Sequence, residues 1–300
     1  MKMKEIVITG LCMTSGIISA QTKLSFNAEV GSKYEYSNEY ILNVDQGGLL
    51  VEEKVSTLYL MNIMNKNSEE TLVQFTYQNI SFLQSSSMMQ IKYDSKKAAN
   101  NPTGIDKMYS KIFSSVVGKT FSASIAADGS VNSLAGIDAI TEDITHTMSA
   151  DGEMGEHLCA SLIKQYFNEK VIKGVIESSL KIYPADKVKV GDSWTIENTF
   201  GGVSNMNETA QIGHTLKKIK NDVATIDFEA AIEVEQGGGL EGKLNGTQSG
   251  TILVNTKTGM PVSSNLTQKV KGSITQHLSI TIDMMMLMTA KIKTSFKEID

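Results

Sequence analysis

The stretch YLMNIMNKNSEETLVQFTYQNISF, residues 59–82, decides how this chain folds. Two runs rich in Val, Ile, Phe, Tyr and Thr flank a polar turn at Asn65–Glu70, which is the composition of an antiparallel hairpin. In the second run Leu72, Gln74, Thr76 and Gln78 alternate with Thr71, Val73, Phe75 and Tyr77. A period of two sends alternate side chains to opposite faces. One face is therefore apolar and the other more polar, as an antiparallel sheet with one covered and one solvated face requires.

Working outward, residues 28–93 read as β-structure, and helical spacing begins after Asn100-Asn101-Pro102. Met108, Ile112 and Val116 recur every fourth residue, which predicts a helix over 105–117 stopped by Gly118. The stretch GKTFSASIAADGSVNSL, 118–134, then reads as strand, Asp128-Gly129 turn and strand. Ile137, Ile140, Ile144 and Met148 predict a second helix over 137–148. Leu158, Leu162, Phe167, Val171, Val175 and Ile176 form one broad face of a long third helix, 155–180. Lys164, Asn168, Lys173 and Glu177 fall on its polar side, and Pro184 stops it. Such a face must cover a sheet.

From 187 to 298 alternation returns, in segments separated by Gly- and Asn-rich turns. TILVNTKTGMPV, 251–262, is a hairpin turning at Thr258-Gly259 and resembles the 118–134 hairpin in layout. No Pro/Ser-rich linker parts the two β-halves. The expected fold is α+β: one long, curved antiparallel sheet of unclosed-barrel type. It is built from β-halves 28–135 and 187–298, with about three helices packed on one face.

The first twenty residues, MKMKEIVITGLCMTSGIISA, read as a secretory signal peptide. Lys2 and Lys4 precede an apolar stretch from Ile6 to Ile18, and Ala20 is a small residue at the cleavage position. The stretch is shorter than the roughly 20 apolar residues needed to span a bilayer. Thr9-Gly10-Leu11 before Cys12 do not make a lipidation site, so no lipid tether is expected. Residues 21–300 are then a single exported domain, periplasmic or secreted, with Cys159 as its lone thiol. Cys159 lies on an apolar helical face, where a buried, inert thiol is expected.

The segment KIYPADKVKVGDSW, 181–194, follows the long helix with a Tyr183-Pro184 step, then Val188-Lys189-Val190-Gly191-Asp192, then Trp194 opening the second β-half. In this it resembles an uncharacterised family of exported bacterial proteins, a domain of unknown function (family 6263). The Asp128-Gly129 and Thr258-Gly259 hairpins and GSKYEYS at 31–37 fit the same layout. The resemblance implies an arrangement covering nearly the whole mature chain and no activity. The layout is also similar, at the level of fold, to lipoprotein carriers, in which a curved sheet wraps apolar helices.

All 28 basic residues are lysines. Bidentate guanidinium recognition of phosphate or carboxylate is therefore excluded. Without the leader, 28 lysines less two and 33 acidic residues less one leave a formal charge of −6, which is not that of a nucleic-acid binder. GGGLEGKL, 237–244, nearly spells a phosphate-binding loop, but Leu244 stands where a hydroxyl is needed and a strand pattern follows. Glu153 and His157 are four apart, with His146 one helix earlier. These are weak metal candidates, without an HExxH pattern or a forced third ligand, so no metal or cofactor is expected. His214 and His277 show no recognisable partner, and Glu52-Glu53 and Glu69-Glu70 read as solvated carboxylates near turns.

The most suggestive chemistry is methionine. In ITIDMMMLMTAKI, Ile282, Met284, Met286 and Met288 share one face while Met285 and Leu287 occupy the other. That pattern fits a strand sandwiched in a core, or an adaptable apolar cavity lined by Met284, Met286 and Met288. Trp194 reads as a core anchor that could instead stack on a ligand. The leading expectation is a non-enzymatic envelope protein that binds an apolar small molecule or lipid, with no nucleic-acid partner and no transmembrane segment. The alternatives are a hydrolase using His146, His157 and nearby carboxylates, or a structural protein interacting through sheet edges.

Overall fold

The hairpin at 59–82 forms where the alternation places it. In the computed structural model, β2 (Leu49–Lys66) and β3 (Glu70–Ser86) pair antiparallel. Thr71, Val73, Phe75 and Tyr77 are buried, while Leu72 is 39% exposed. A bulge opposite Leu58 and Tyr59 inserts Gln78 as an extra residue. The inward set therefore changes parity, and Ile80 and Phe82 continue the buried face. The structure describes residues 21–97, 102–201, 207–235, 240–277 and 281–299. The leader at 1–20 lies outside them, as do the side chains of 199–209, 234–243, 274 and 276–284.

The remaining strands are β1 (Lys33–Gln46), β4 (Gln90–Asp94), β5 (Thr120–Ala126) and β6 (Val131–Ala135) in the first half. The second half supplies β7 (Ser193–Gly201), β8 (Asn207–Lys220), β9 (Val223–Glu235), β10 (Leu240–Asn255), β11 (Pro261–His277) and β12 (Thr281–Ile299). They form one 12-stranded antiparallel sheet in the order β6-β5-β3-β2-β1-β12-β11-β10-β9-β8-β7, with β4 added to β3. The halves join where β1 pairs with β12, from Lys33↔Ile299 to Gln46↔Met286. The terminal strands β6 and β7 do not pair with each other, so the sheet is not closed into a barrel.

Helices α1 (Gly104–Val116), α2 (Ile137–Met148), α3 (Gly152–Leu162) and α4 (Glu169–Leu180) lie on one side of the sheet. Here the expectation of a single helix over 155–180 is corrected. Residues 163–167 wind as a π turn, and Asn168 leaves the helical region at φ −87°, ψ 158°. Its side chain accepts a hydrogen bond from the Val171 amide and caps α4. The residue that spacing assigns to a solvated helical face is instead the joint between two helices. Among the described residues, no helix is long and apolar enough to cross a membrane.

Helix α4 touches both terminal strands. The Val131 amide of β6 donates to Glu177 Oε1 at 2.8 Å, and Trp194 Nε1 of β7 donates to the Ile182 carbonyl at 3.0 Å, just past the helix. The similar hairpins of the two halves meet the same segment, 22–27. Phe26 N donates to Ala127 O at 2.8 Å, beside the Asp128-Gly129 turn, and Asn27 N donates to Thr258 O at 2.9 Å.

Two turn glycines are held by this packing. At Gly129 (φ +85°) a Cβ would sit 1.7 Å from the Leu180 carbonyl oxygen, and at Gly259 (φ +68°) 1.7 Å from that of Ser25. Gly48 has a similar φ, +92°, but nothing within 4 Å. Gly48→Ala is expected to cost only left-handed strain, about 1–2 kcal/mol. Gly129→Ala adds displacement of packed backbone, and should cost at least about 2 kcal/mol more in urea denaturation. Equal losses for the two would refute the packing role of the Gly129 turn.

Candidate functional site

The face of the sheet beneath the helices is built from alternate residues of every strand. Tyr36 of β1 stacks on Tyr59 of β2 at 5.5 Å and on Phe296 of β12 at 4.4 Å. Its hydroxyl shares a 3.2 Å hydrogen bond with Ser179 of α4. Burial pushes the Tyr36 hydroxyl up to about 12 and also raises those of Tyr59 and Tyr77. These groups stay protonated at neutral pH and act as hydrogen-bonding, apolar surface.

Within this apolar face polar side chains fall in two cross-strand rows, set by strand register. In one, Thr57, Asn38, Thr294 and Ser264 are cross-strand neighbours on β2, β1, β12 and β11. In the other, Glu53, Leu42, Ala290, Gln268 and Gln248 follow one another from β2 to β10. Asn38 Oδ1, Thr294 Oγ1, Gln248 Nε2 and Glu53 Oε1 are buried with no hydrogen-bond partner among the described residues, and so is Asn198 Oδ1 on β7. Asn38 and Thr57, with Tyr40, Val55, Tyr59 and Tyr77, form the sheet side of a cavity of about 70 Å³. Phe113 of α1, Tyr166 and Phe167 of the π turn, and Val171 and Val175 of α4 form its helix side.

Glu53 corrects the sequence reading. It is 5% exposed, not a solvated carboxylate beside a turn. Burial raises its pKa, opposed by a hydrogen bond from the Tyr166 hydroxyl. Tyr166 is raised in turn by burial and by the charge of Glu53. The signal was present: counting back by twos from Met61 and Tyr59 through Thr57 and Val55 places Glu53 on the inward face.

A second constellation lies at the far edge. Trp194 of β7 stacks on His214 of β8 at 5.6 Å with 10° between the rings, and Phe228 of β9 lies 6.0 Å beyond. The three border a cleft of about 410 Å³ that Lys217, Asp227 and Glu229 also line. His214 is 2% exposed. Burial lowers its pKa to about 4, opposed by the contact of Nδ1 with the Ile212 carbonyl at 3.1 Å. Sequence showed no partner for His214, because the stack exists only through the β7–β8 register that sets Trp194 opposite it.

The other sequence candidates are scattered. Met286 and Met288 are buried on the inner face of β12 while Met285 is 60% exposed on the outer; the side chain of Met284 lies outside the described residues. Four strands separate β12 from β7, so Trp194 is no sheet neighbour of these methionines. His146, Glu153 and His157 are exposed on α2 and α3. No group of three or more metal-ligating side chains occurs among the described residues. Cys159 is buried, and burial raises its thiol pKa. Gly237–Gly239 of the glycine-rich stretch and the side chain of His277 lie outside the described residues, and Lys243 falls within β10.

The profile of a family of unknown function, DUF6263, matches residues 68–261. None of the curated proteins matches the sequence. Among solved structures the chain is similar to one described as lipid–protein interactions in lipovitellin, at 9% identity and a TM-score of 0.47, over 91% of this chain and 25% of that one. It thus spans a quarter of that chain. It is also similar to the translocator domain of autotransporter NalP from Neisseria meningitidis, at 8% identity and a TM-score of 0.26, over 91% of this chain and 90% of that one. A third similarity is to an outer membrane channel from Pseudomonas putida F1, at 8% identity and a TM-score of 0.24, over 90% and 97% of the two chains. Likenesses this slight carry no argument about function.

The depressed His214 pKa makes a directional prediction. The unfolded chain takes up a proton near pH 6.5 that the folded chain refuses until about 4. Stability from this group is therefore complete above about pH 6.5, falls as pH drops toward 4, and is level below that; the loss is about 3 kcal/mol. Trp194 is the sole tryptophan, so its fluorescence should follow urea unfolding at each pH. His214→Phe keeps an aromatic ring in the stack and should flatten this part of the profile; an unchanged slope would refute the assignment.

Proposed function

Since the chain belongs to the family of unknown function DUF6263, whose name assigns no activity, we propose its role from its own geometry. It is an exported, non-enzymatic binding protein that holds an apolar or lipid-like ligand between the helices and the inner face of the sheet. One observation carries this reading: polar atoms without partners on an otherwise apolar, helix-covered face. Each such atom costs about 1–3 kcal/mol if left unpaired, against a net stability of about 5–15 kcal/mol for a whole domain. A partner from outside the chain removes that cost, and the surrounding tyrosine, valine and methionine side chains favour one that is largely apolar. The open seam between β6 and β7, spanned by α4 rather than by strand pairing, gives the interior a route to the outside. The leader at 1–20 supports export.

Protein purified without detergent from its native envelope is expected to carry a lipid-sized mass in native mass spectrometry, released on denaturation. A bare mass from a protein that also takes up no fluorescent amphiphile would sink the reading. Replacing Asn38 by Leu together with Thr294 by Val removes two unpaired polar atoms. That variant should gain about 1–3 kcal/mol of stability in urea and lose amphiphile uptake. Higher stability with uptake unchanged would detach the polar row from binding.

A further inference from the structure

Glu53 is the one ionisable group among the unpaired inner-face residues, and the reading above leaves it unused. On β2 it is the next inward residue before Val55, which lines the cavity. Tyr166 lines the same cavity from the helix side. The Tyr166 hydroxyl accepts from Gln165 Nε2 at 2.7 Å, and its interaction with the Glu53 carboxylate opposes the upward shift that burial gives that group. Glu53 Oε1 has no hydrogen-bond partner, and no lysine forms an ion pair with Glu53, among the described residues.

The cavity next to this carboxylate selects one sign of charge. Tyr40, Tyr59, Tyr77, Tyr166 and Phe113 border the cavity, and the faces of such rings are negative. A cation there would neutralise the buried carboxylate and lie against the rings. An anion would be repelled by both, and a neutral head group would gain a hydrogen bond alone. The volume of about 70 Å³ suits a small head group rather than a whole lipid, with the apolar inner face left for a chain.

Resting on the ligand-binding reading, we propose that the Glu53–Tyr166 end of this cavity binds the ammonium head of an amphiphilic amine. Titration calorimetry at pH 7, below micellar concentrations, would compare dodecylammonium, dodecanol and dodecanoate as probes. Dodecylammonium is expected to bind at least about tenfold more tightly than the other two. Glu53→Gln should erase that preference while leaving dodecanol binding unchanged, and Tyr166→Phe should reduce it. Equal binding of all three, or a preference that survives Glu53→Gln, would overturn this proposal while leaving the binding reading intact. Tighter binding of dodecanoate would overturn it in favour of a protonated Glu53 that receives a carboxylate. No binding of any probe would overturn both readings.

A folding control keeps the variant interpretable. Burial raises the folded pKa of Glu53 above its unfolded value, so wild type loses stability as pH rises past that unfolded value. Glu53→Gln removes this loss. Its urea midpoint at pH 8 should equal or exceed that of wild type, which separates lost binding from lost folding.

Discussion

The pairing of the first strand with the last is the interaction on which the rest depends. All 14 residues of β1 are in register with β12, although nearly the whole chain lies between them. This one contact merges two β-halves into a single sheet, and the Tyr36–Phe296 stack sits across it. Ordering so long a loop is entropically costly and slow, as expected for non-local antiparallel pairing. Once it forms, the two halves share one inner face, which the helical stretch between them covers together with Leu24, Phe26 and Ala28 of the segment before β1.

That arrangement explains the placement of α4. A sheet whose end strands do not meet has two exposed edges, each a liability for unwanted pairing. Helix α4 lies against both, tied to β6 through Glu177 and followed by the Trp194–Ile182 contact to β7. The interior is thus enclosed by side-chain packing where strand hydrogen bonds are missing.

The inner face departs from what stability alone would choose. Apolar side chains at Asn38, Thr294, Gln248 and Glu53 would pack without leaving polar atoms unpaired. Departures of this kind are expected at functional sites, where local consistency yields to recognition. The departures are not random: strand register aligns them in two cross-strand rows, and Asn38 of the first lines the cavity.

Hairpins, turns and the two-sided character of the strands were legible along the chain, because a strand sorts its side chains by a period of two whatever it later pairs with. The helix at 137–148 was equally legible, from apolar residues spaced three and four apart. Even Glu53 stood at an inward position of that count. Other features depend on residues distant in sequence that no local period relates. Asn168 ends one helix and caps the next, where spacing alone continues a helix. The β1–β12 joint decides that Asn38 faces Thr294, and the β7–β8 register sets Trp194 on His214. Period and turn chemistry are properties of neighbours along the chain, so the sequence by itself determined the hairpins, the first two helices and the two-sided character of the strands. Which buried faces meet, and which polar groups are left without partners between them, is a property of register and closure, and only the tertiary structure decided it.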